Sequence, residues 1–299
     1  MQSQFNSETI MSRGPLGVPD QDIAFGFVRE LAAELSDGKV ELPGFPHIVM
    51  RVQRVLGDPA ADLGRILRVI GSEPVLATQL MRLANSAALN PSGPRVADLR
   101  AAVARVGLDT VRSATIAFAL RQLQAAPALR GLEAPLGDLW RRGVNVASLS
   151  FVIARRLTTA MADTALLAGL LQGVGKLYIL TRASRHRSLF HDAAAYEAIE
   201  RAWHLSIAAA LLENWGMADE IIQAVQESEN YERDARGAPA LADALLAGTL
   251  LADGDDTSAL SERVAAARPL HRLQLDEPAC RTLLAESAQE IAALREALG

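Results

Sequence analysis

The residues in this sequence that could do chemistry are a glycine-broken apolar stretch carrying one lysine, two histidines, an asparagine–serine pair and two arginine pairs. The stretch is Gly169-Leu170-Leu171-Gln172-Gly173-Val174-Gly175-Lys176-Leu177. Its end tempts a phosphate-loop reading, in which backbone amides and a lysine cradle phosphates. The spacing fails: five residues separate Gly169 from Gly175, one more than that loop allows, and Leu177 stands where it needs Ser or Thr. Lys176 is expected to snorkel from a buried helix or to pair with a carboxylate. His191-Asp192 is the only literal His-Asp dipeptide, but it precedes an alanine-rich helix, where Asp192 suits an N-cap. His204 is expected as a capping or hydrogen-bonded histidine at a helix start. Asn85-Ser86 ends an apolar helix. The pair either satisfies free carbonyls there or belongs to a partner or ligand site. Arg141-Arg142 and Arg155-Arg156 could frame an anion, but in so arginine-rich a chain a solvated face is the expected place for them.

The elements that must position these residues read as helices. Hydrophobic residues make up 50% of the 299-residue chain and aromatics only 4%. Ala, Leu and Val therefore fill the core, which favours packed helices over strands. No segment alternates with period two. Ile23, Phe27, Leu31 and Leu35 recur every four residues and mark a helix with one buried face. Short helices follow at His47–Leu56, at Leu63–Ile70 and after Pro74, with Ser72 as a candidate cap. Asp98 and Asp109 cap the next two, the first ended by Gly107. Ala125–Gly137 reads as a joint between two helical halves. Beyond it, helices are expected near Leu139–Leu157, Asp163–Leu180, Ala193–Trp203, Ser206–Asn214, Ala218–Glu229, Ala240–Ala252, Thr257–Ala267 and Glu277–Ala297. Each interior glycine in the Asp163–Leu180 helix costs roughly 0.5–1 kcal/mol relative to Ala, so something is expected close to its backbone: a ligand, a metal or another helix. Trp140, Trp203 and Trp215 are expected in core or inter-subdomain packing.

Composition also limits function. The net charge of −5 argues against a general nucleic-acid or anionic-membrane binder. A single cysteine, Cys280, excludes an internal disulfide framework and a cysteine-based zinc site. The charge-free runs Gly143–Ala154 and Thr164–Gly175 are too short to span a bilayer, and no signal peptide is read at the N-terminus. The expected setting is the cytoplasm.

Several motifs stand in a specific order: Leu42-Pro43-x-x-Pro46, Asp58-Pro59, Ser72-Glu73-Pro74, Leu83-Ala84-Asn85-Ser86-Ala87, Leu99-Arg100-Ala101-Ala102-Val103 with Gly107-Leu108, Leu139-Trp140-Arg141, and Gly169-Leu170-Leu171-x-x-Val174-Gly175-Lys176-Leu177. The set, from about Leu35 to Asn230, resembles an HDOD domain, the bacterial output domain related to HD-type metal phosphohydrolases. The resemblance implies an all-α fold of two helical subdomains, the second similar to an HD hydrolase core. The expected organisation is a disordered tail at 1–20 and an HDOD-like domain at 21–235, with subdomains at about 35–125 and 138–230. A helical extension at 236–299 is expected to pack on the HD-like half.

HD hydrolases hold one or two divalent metals on His and Asp residues, and the metal makes a nucleophilic hydroxide from water. Against that pattern the first His falls at about Arg142 and the His-Asp pair at Gln172-Gly173. His204 matches a later His, and Gln226-Glu227-Ser228 stands where another would be. The resemblance therefore implies a vestigial pocket of Arg142, Gln172, Gly173, Lys176 and His204, with no catalytic residue, no metal and no cofactor. The function expected is a regulatory scaffold for signalling proteins in bacterial signal transduction, with links to cyclic-dinucleotide pathways, motility, biofilm or virulence. Two alternatives are a divergent phosphohydrolase using His204, Glu200, His191 and Asp192, and a nucleotide or small-molecule sensor in the vestigial pocket. Partner identity, upstream signal and oligomeric state are left open.

Overall fold

The computed structural model describes residues 18–38, 40–42, 47–90, 93–124, 129–234, 237–252 and 257–298. The expected tail at 1–17, the proline-braced segment at 43–46 and the start of the joint at 125–128 lie outside the described residues. Among the described residues every regular element is a helix, so the all-α reading holds. The expected tail runs to Asp20, yet α1 (Val18–Ser36) already begins at Val18.

The first half contains α2 (His47–Leu56), α3 (Leu63–Gly71), α4 (Pro74–Ala84) and α5 (Leu99–Gln124). Local chemistry sets their ends. Asp62 accepts from Arg65 N at 2.6 Å and Asp98 from Ala101 N at 2.8 Å, each satisfying an otherwise free amide of a first turn. Pro74 opens α4, where its missing N–H removes no helical bond. Ser72 does not cap that helix. Its hydroxyl donates to Val69 O at 2.7 Å and finishes α3, while Glu73 holds the extended N-cap position. Gly107, at φ +80° and ψ 165°, is non-helical and divides α5 into two helical segments, as expected.

The second half holds α6 (Glu133–Leu157), α7 (Ala162–Leu171), α8 (Val174–Ala183), a 3₁₀ turn at Arg187–His191, α9 (Ala193–Asn214) and α10 (Asp219–Gln226). The helix expected over Asp163–Leu180 is two, separated at Gln172-Gly173. Conversely, the two helices expected around His204 are one, α9, which places His204 in mid-helix and not at a start. The stretch Ala162–Ala183 is apolar and long enough to cross a membrane by composition alone, but it is broken in this way and 83% of its most apolar window is buried.

The C-terminal part supplies α11 (Leu241–Ala252), α12 (Thr257–Ala266), α13 (Arg268–Arg272) and α14 (Glu277–Leu298). α6 lies along α7 and α11; α5 links the halves by packing on α2, α4 and α7; α8 pairs with α9. α14 lies on α6 and also reaches back to α4. Arg155 and Arg156 are exposed, as expected, and they also bridge to it, Arg155 to Glu290 at 2.7 Å and Arg156 to Glu286 at 3.3 Å. Trp140, Trp203 and Trp215 are half-buried against the core.

α1 docks away from the helices that follow it. It lies on α9 and the 3₁₀ turn, burying Phe27 and Leu31. Glu34 accepts from the Tyr178 hydroxyl and pairs with Arg182 at 2.8 Å; Glu30 meets His186 at 3.2 Å. Burial, reinforced by the bond to Glu34, pushes the Tyr178 hydroxyl up to about 12.

Two contacts fix the second half. α8 crosses α9 with Gly175 directly against the carbonyl of His204, and a Cβ added there would collide with that backbone. In the first turn of α11, the wholly buried Asp243 pairs with Arg233 of the preceding segment and with Arg272 at 3.3 Å, and it accepts from Ala240 N at 2.8 Å. Arg272 also donates to Gly237 O and Ala238 O at 3.0 and 2.9 Å, so one carboxylate fastens the loop, α11 and α13 together.

Gly175→Ala is expected to destabilise by roughly 1–3 kcal/mol through overpacking, although helix propensity alone would favour Ala by about 1 kcal/mol. The sign of the change in urea unfolding decides between them. Asp243→Ala strands two arginines beside an apolar core and is expected to cost roughly 3–5 kcal/mol, seen as a melting temperature lower by about 10 °C.

Candidate functional site

Five elements converge on one charged cluster. α6 carries Arg142, the α7–α8 joint Gln172, α8 Lys176, α9 Tyr196, Glu200 and His204, and the turn after α10 carries Glu229. Residues 196, 200 and 204 are four apart and so share one face of α9. Gly175 seats α8 on α9, which brings the adjacent Lys176 to that face.

Glu229 is the hub. His204 Nε2 lies 3.2 Å from its Oε2, and Lys176 Nζ lies 3.9 Å from its Oε1. Lys176 also reaches Glu200 at 3.5 Å. Arg142 donates to the side-chain amide oxygen, Oε1, of the buried Gln172 at 3.5 Å. The hydrogen bond from His204 pulls the Glu229 carboxyl below its usual range. Burial opposes this, while the charges of His204, Lys176 and Arg142 add to it. Burial raises the Tyr196 hydroxyl, with the charge of Glu200 and a hydrogen bond to it acting in the same direction.

The structure therefore brings together four of the five residues expected in the vestigial pocket: Arg142, Gln172, Lys176 and His204. The fifth, Gly173, faces the other way. It borders an apolar gap of about 30 Å³ with Leu139, Trp140 and Leu177, too small for a nucleotide. His204 is not a helix cap but a buried histidine committed to Glu229. His191 is exposed at the end of the 3₁₀ turn, and Asp192 accepts from Ala195 N at 3.0 Å as the N-cap of α9. The combination of His204, Glu200, His191 and Asp192 thus splits, with only the first two in the cluster. Glu229 is the residue that sequence reasoning missed. It lies one position past Gln226-Glu227-Ser228, because α10 stops at Gln226 and the turn that follows breaks the helical register.

These residues do not fit a divalent metal. A metal centre needs several imidazole and carboxylate donors free of competing cations. Here Lys176 is paired to both carboxylates, and the positive charge of Arg142 also bears on Glu229. Nδ1 of His204 is buried without a partner, but one orphaned nitrogen is not a coordination sphere.

Asn85 and Ser86 stand apart from this cluster. The Asn85 side chain accepts from Val96 N at 2.8 Å and donates to Val96 O and Met81 O at 3.0 and 2.9 Å. Ser86 donates to Leu83 O at 2.8 Å. Both finish α4 and pin the loop that follows. Both also line a groove of about 600 Å³ between α4 and α14.

Residues 42–231 match the HDOD domain. Among solved structures, a candidate metal-dependent phosphohydrolase from Shewanella amazonensis aligns over 93% of this chain and 100% of its own, at 22% identity and a TM-score of 0.77. An HDOD domain protein of unknown function from Geobacter sulfurreducens aligns over 93% and 99%, at 21% identity and a TM-score of 0.62. A candidate signal transduction protein from Marinobacter aquaeolei aligns over 93% and 65%, at 23% identity and a TM-score of 0.61. An uncharacterized protein of Treponema pallidum is 24% identical over 216 residues, which span 67% of this chain and 40% of that protein. At these identities the solved structures speak to the fold alone. The domain match, by contrast, runs from just before α2 to just past α10 and takes in every residue of the charged cluster: this chain belongs to the HDOD domain family.

Proposed function

We propose that this protein is a non-catalytic regulator that works in the bacterial cytoplasm as a scaffold for signalling proteins. The observation that carries the reading is the position of Lys176 and Arg142. They supply positive charge to Glu229 and Glu200 at the place where a family hydrolase would hold its metals. A cluster wired in this way consolidates the fold and offers no activated water. What remains available for function is helical surface, which suits protein partners. The link to cyclic-dinucleotide pathways, motility, biofilm or virulence rests on the family resemblance and belongs to the same proposal.

The purified chain, assayed with bis(p-nitrophenyl) phosphate and Mn, Fe or Mg, is expected to show no turnover and no stoichiometric bound metal. Turnover that disappears in His204→Ala would overturn the reading. Affinity capture from the native cell should return the same signalling proteins in replicate preparations, and a failure to do so would count against the scaffold role.

The cluster's structural role has its own signature. Glu229→Gln removes the negative charge that faces a buried imidazole and Lys176, and is expected to cost roughly 1–3 kcal/mol. The folded-state carboxyl titrates below its unfolded value, so its contribution is complete above the ordinary glutamate range. It is lost as pH falls through the lowered value. The difference in stability between wild type and Glu229→Gln should therefore shrink on acidification, as followed by denaturant unfolding at several pH values.

A further inference from the structure

The groove between α4 and α14 has a chemistry that the charged cluster does not explain. Two guanidinium groups line it, Arg82 from the last turn of α4 and Arg95 from the loop that follows. Among the described residues neither is engaged in an ion pair, whereas the arginines elsewhere on the same half that face an acid, Arg65 and Arg112, are paired with Asp58 and Asp109. Arg95 is not on a loose arm. Its neighbour Val96 is held through both its N–H and its carbonyl by the side chain of Asn85, so the backbone that presents Arg95 is fixed across the groove.

The remaining polar atoms are complementary. The hydroxyls of Thr78 and Ser86 donate to Pro74 O and Leu83 O, which leaves their oxygens free to accept. Glu296 of α14 adds a carboxylate on the opposite wall. Two strong cationic donors beside three acceptors match a ligand that carries an anionic phosphate and several hydroxyl or amino donors. The volume of about 600 Å³ lies in the range of small-molecule sites and suits a mononucleotide or sugar phosphate. The surrounding field favours the same charge. Between Lys39 and Gln124 there are eleven basic and six acidic residues, in a chain whose net charge is −5. Anions are drawn to this half.

We infer that this groove binds a small organic phosphate of nucleotide or sugar-phosphate size, its phosphate between Arg82 and Arg95 and its hydroxyl or amino groups on Thr78, Ser86 and Glu296. None of these residues belongs to the charged cluster, so the inference stands whether or not the scaffold reading holds. One wall is α4 and the other is α14, so an occupant would clamp the C-terminal helix to the first half. Such a clamp gives a signalling protein a ligand-dependent surface.

The test is thermal unfolding of the full chain with AMP, GMP, ribose 5-phosphate, inorganic phosphate or adenosine at 1 mM each. At least one phosphate ester is expected to raise the melting temperature by about 5 °C if its Kd is near 10 μM. Adenosine should have no effect, and inorganic phosphate a smaller one than the best ester. Arg82→Ala combined with Arg95→Ala should abolish the rise. Ala293→Trp should abolish it too, by filling the groove from α14 with both guanidines left in place. Arg65→Ala, outside the groove, should keep it. The inference is overturned if no ester shifts the melting temperature, if adenosine or inorganic phosphate shifts it as much as the best ester, or if the double variant retains the full shift.

Discussion

α8 and α9 meet backbone against backbone at one glycine. At the crossing, Gly175 rests against the carbonyl of His204, and any larger residue would push the two backbones apart. The rest of the second half is arranged around that approach. It sets Lys176 beside Glu200 and Glu229, and it buries the His204 ring. The glycine is therefore spent on a neighbouring helix and not on a ligand. Close helix packing of this kind is demanding, because a densely packed interior relaxes little when a single atom is added.

The charged cluster follows from the same geometry. Carboxylates gathered in a half-buried site repel one another and resist desolvation unless positive charge meets them. A metal can supply that charge, and so can lysine and arginine. The two solutions differ in consequence: a metal leaves room for water and activates it, whereas an ammonium or guanidinium closes the site with hydrogen bonds of its own. In this chain the cationic side chains come from α6 and from α8, which begins just past the Gln172-Gly173 break.

Much of the fold could be read in advance, because long apolar periodicities and proline or aspartate helix starts are local signals. Asp98, Asp192 and Pro74 sit where their chemistry predicts. What failed was also local in origin. Ser72 has the right side chain for a cap but serves the preceding helix, a choice made by backbone direction. The polar run at His204-Leu205-Ser206 looked like an interruption, yet tertiary burial carries α9 straight through it. Had α9 been read as continuous, the spacing of Tyr196, Glu200 and His204 would have revealed one polar face. Glu229 could not be found by register, since it lies beyond a helix end. The groove between α4 and α14 pairs residues some two hundred positions apart, and no local pattern announces that.

The docking of α1 limits where the chain can be divided. α1 comes first in sequence but lies on the second half, while α14 comes last and reaches back to α4. The polypeptide is laced at both ends across its own joint, like a parcel tied by its two loose cords. A fragment cut at the joint would carry away one cord and leave the other dangling: the first half would keep α1 without its platform, and the second would bare the apolar surface that Phe27 and Leu31 cover. The two subdomains visible in the helix order are thus held to each other by the first and last described helices as well as by the joint.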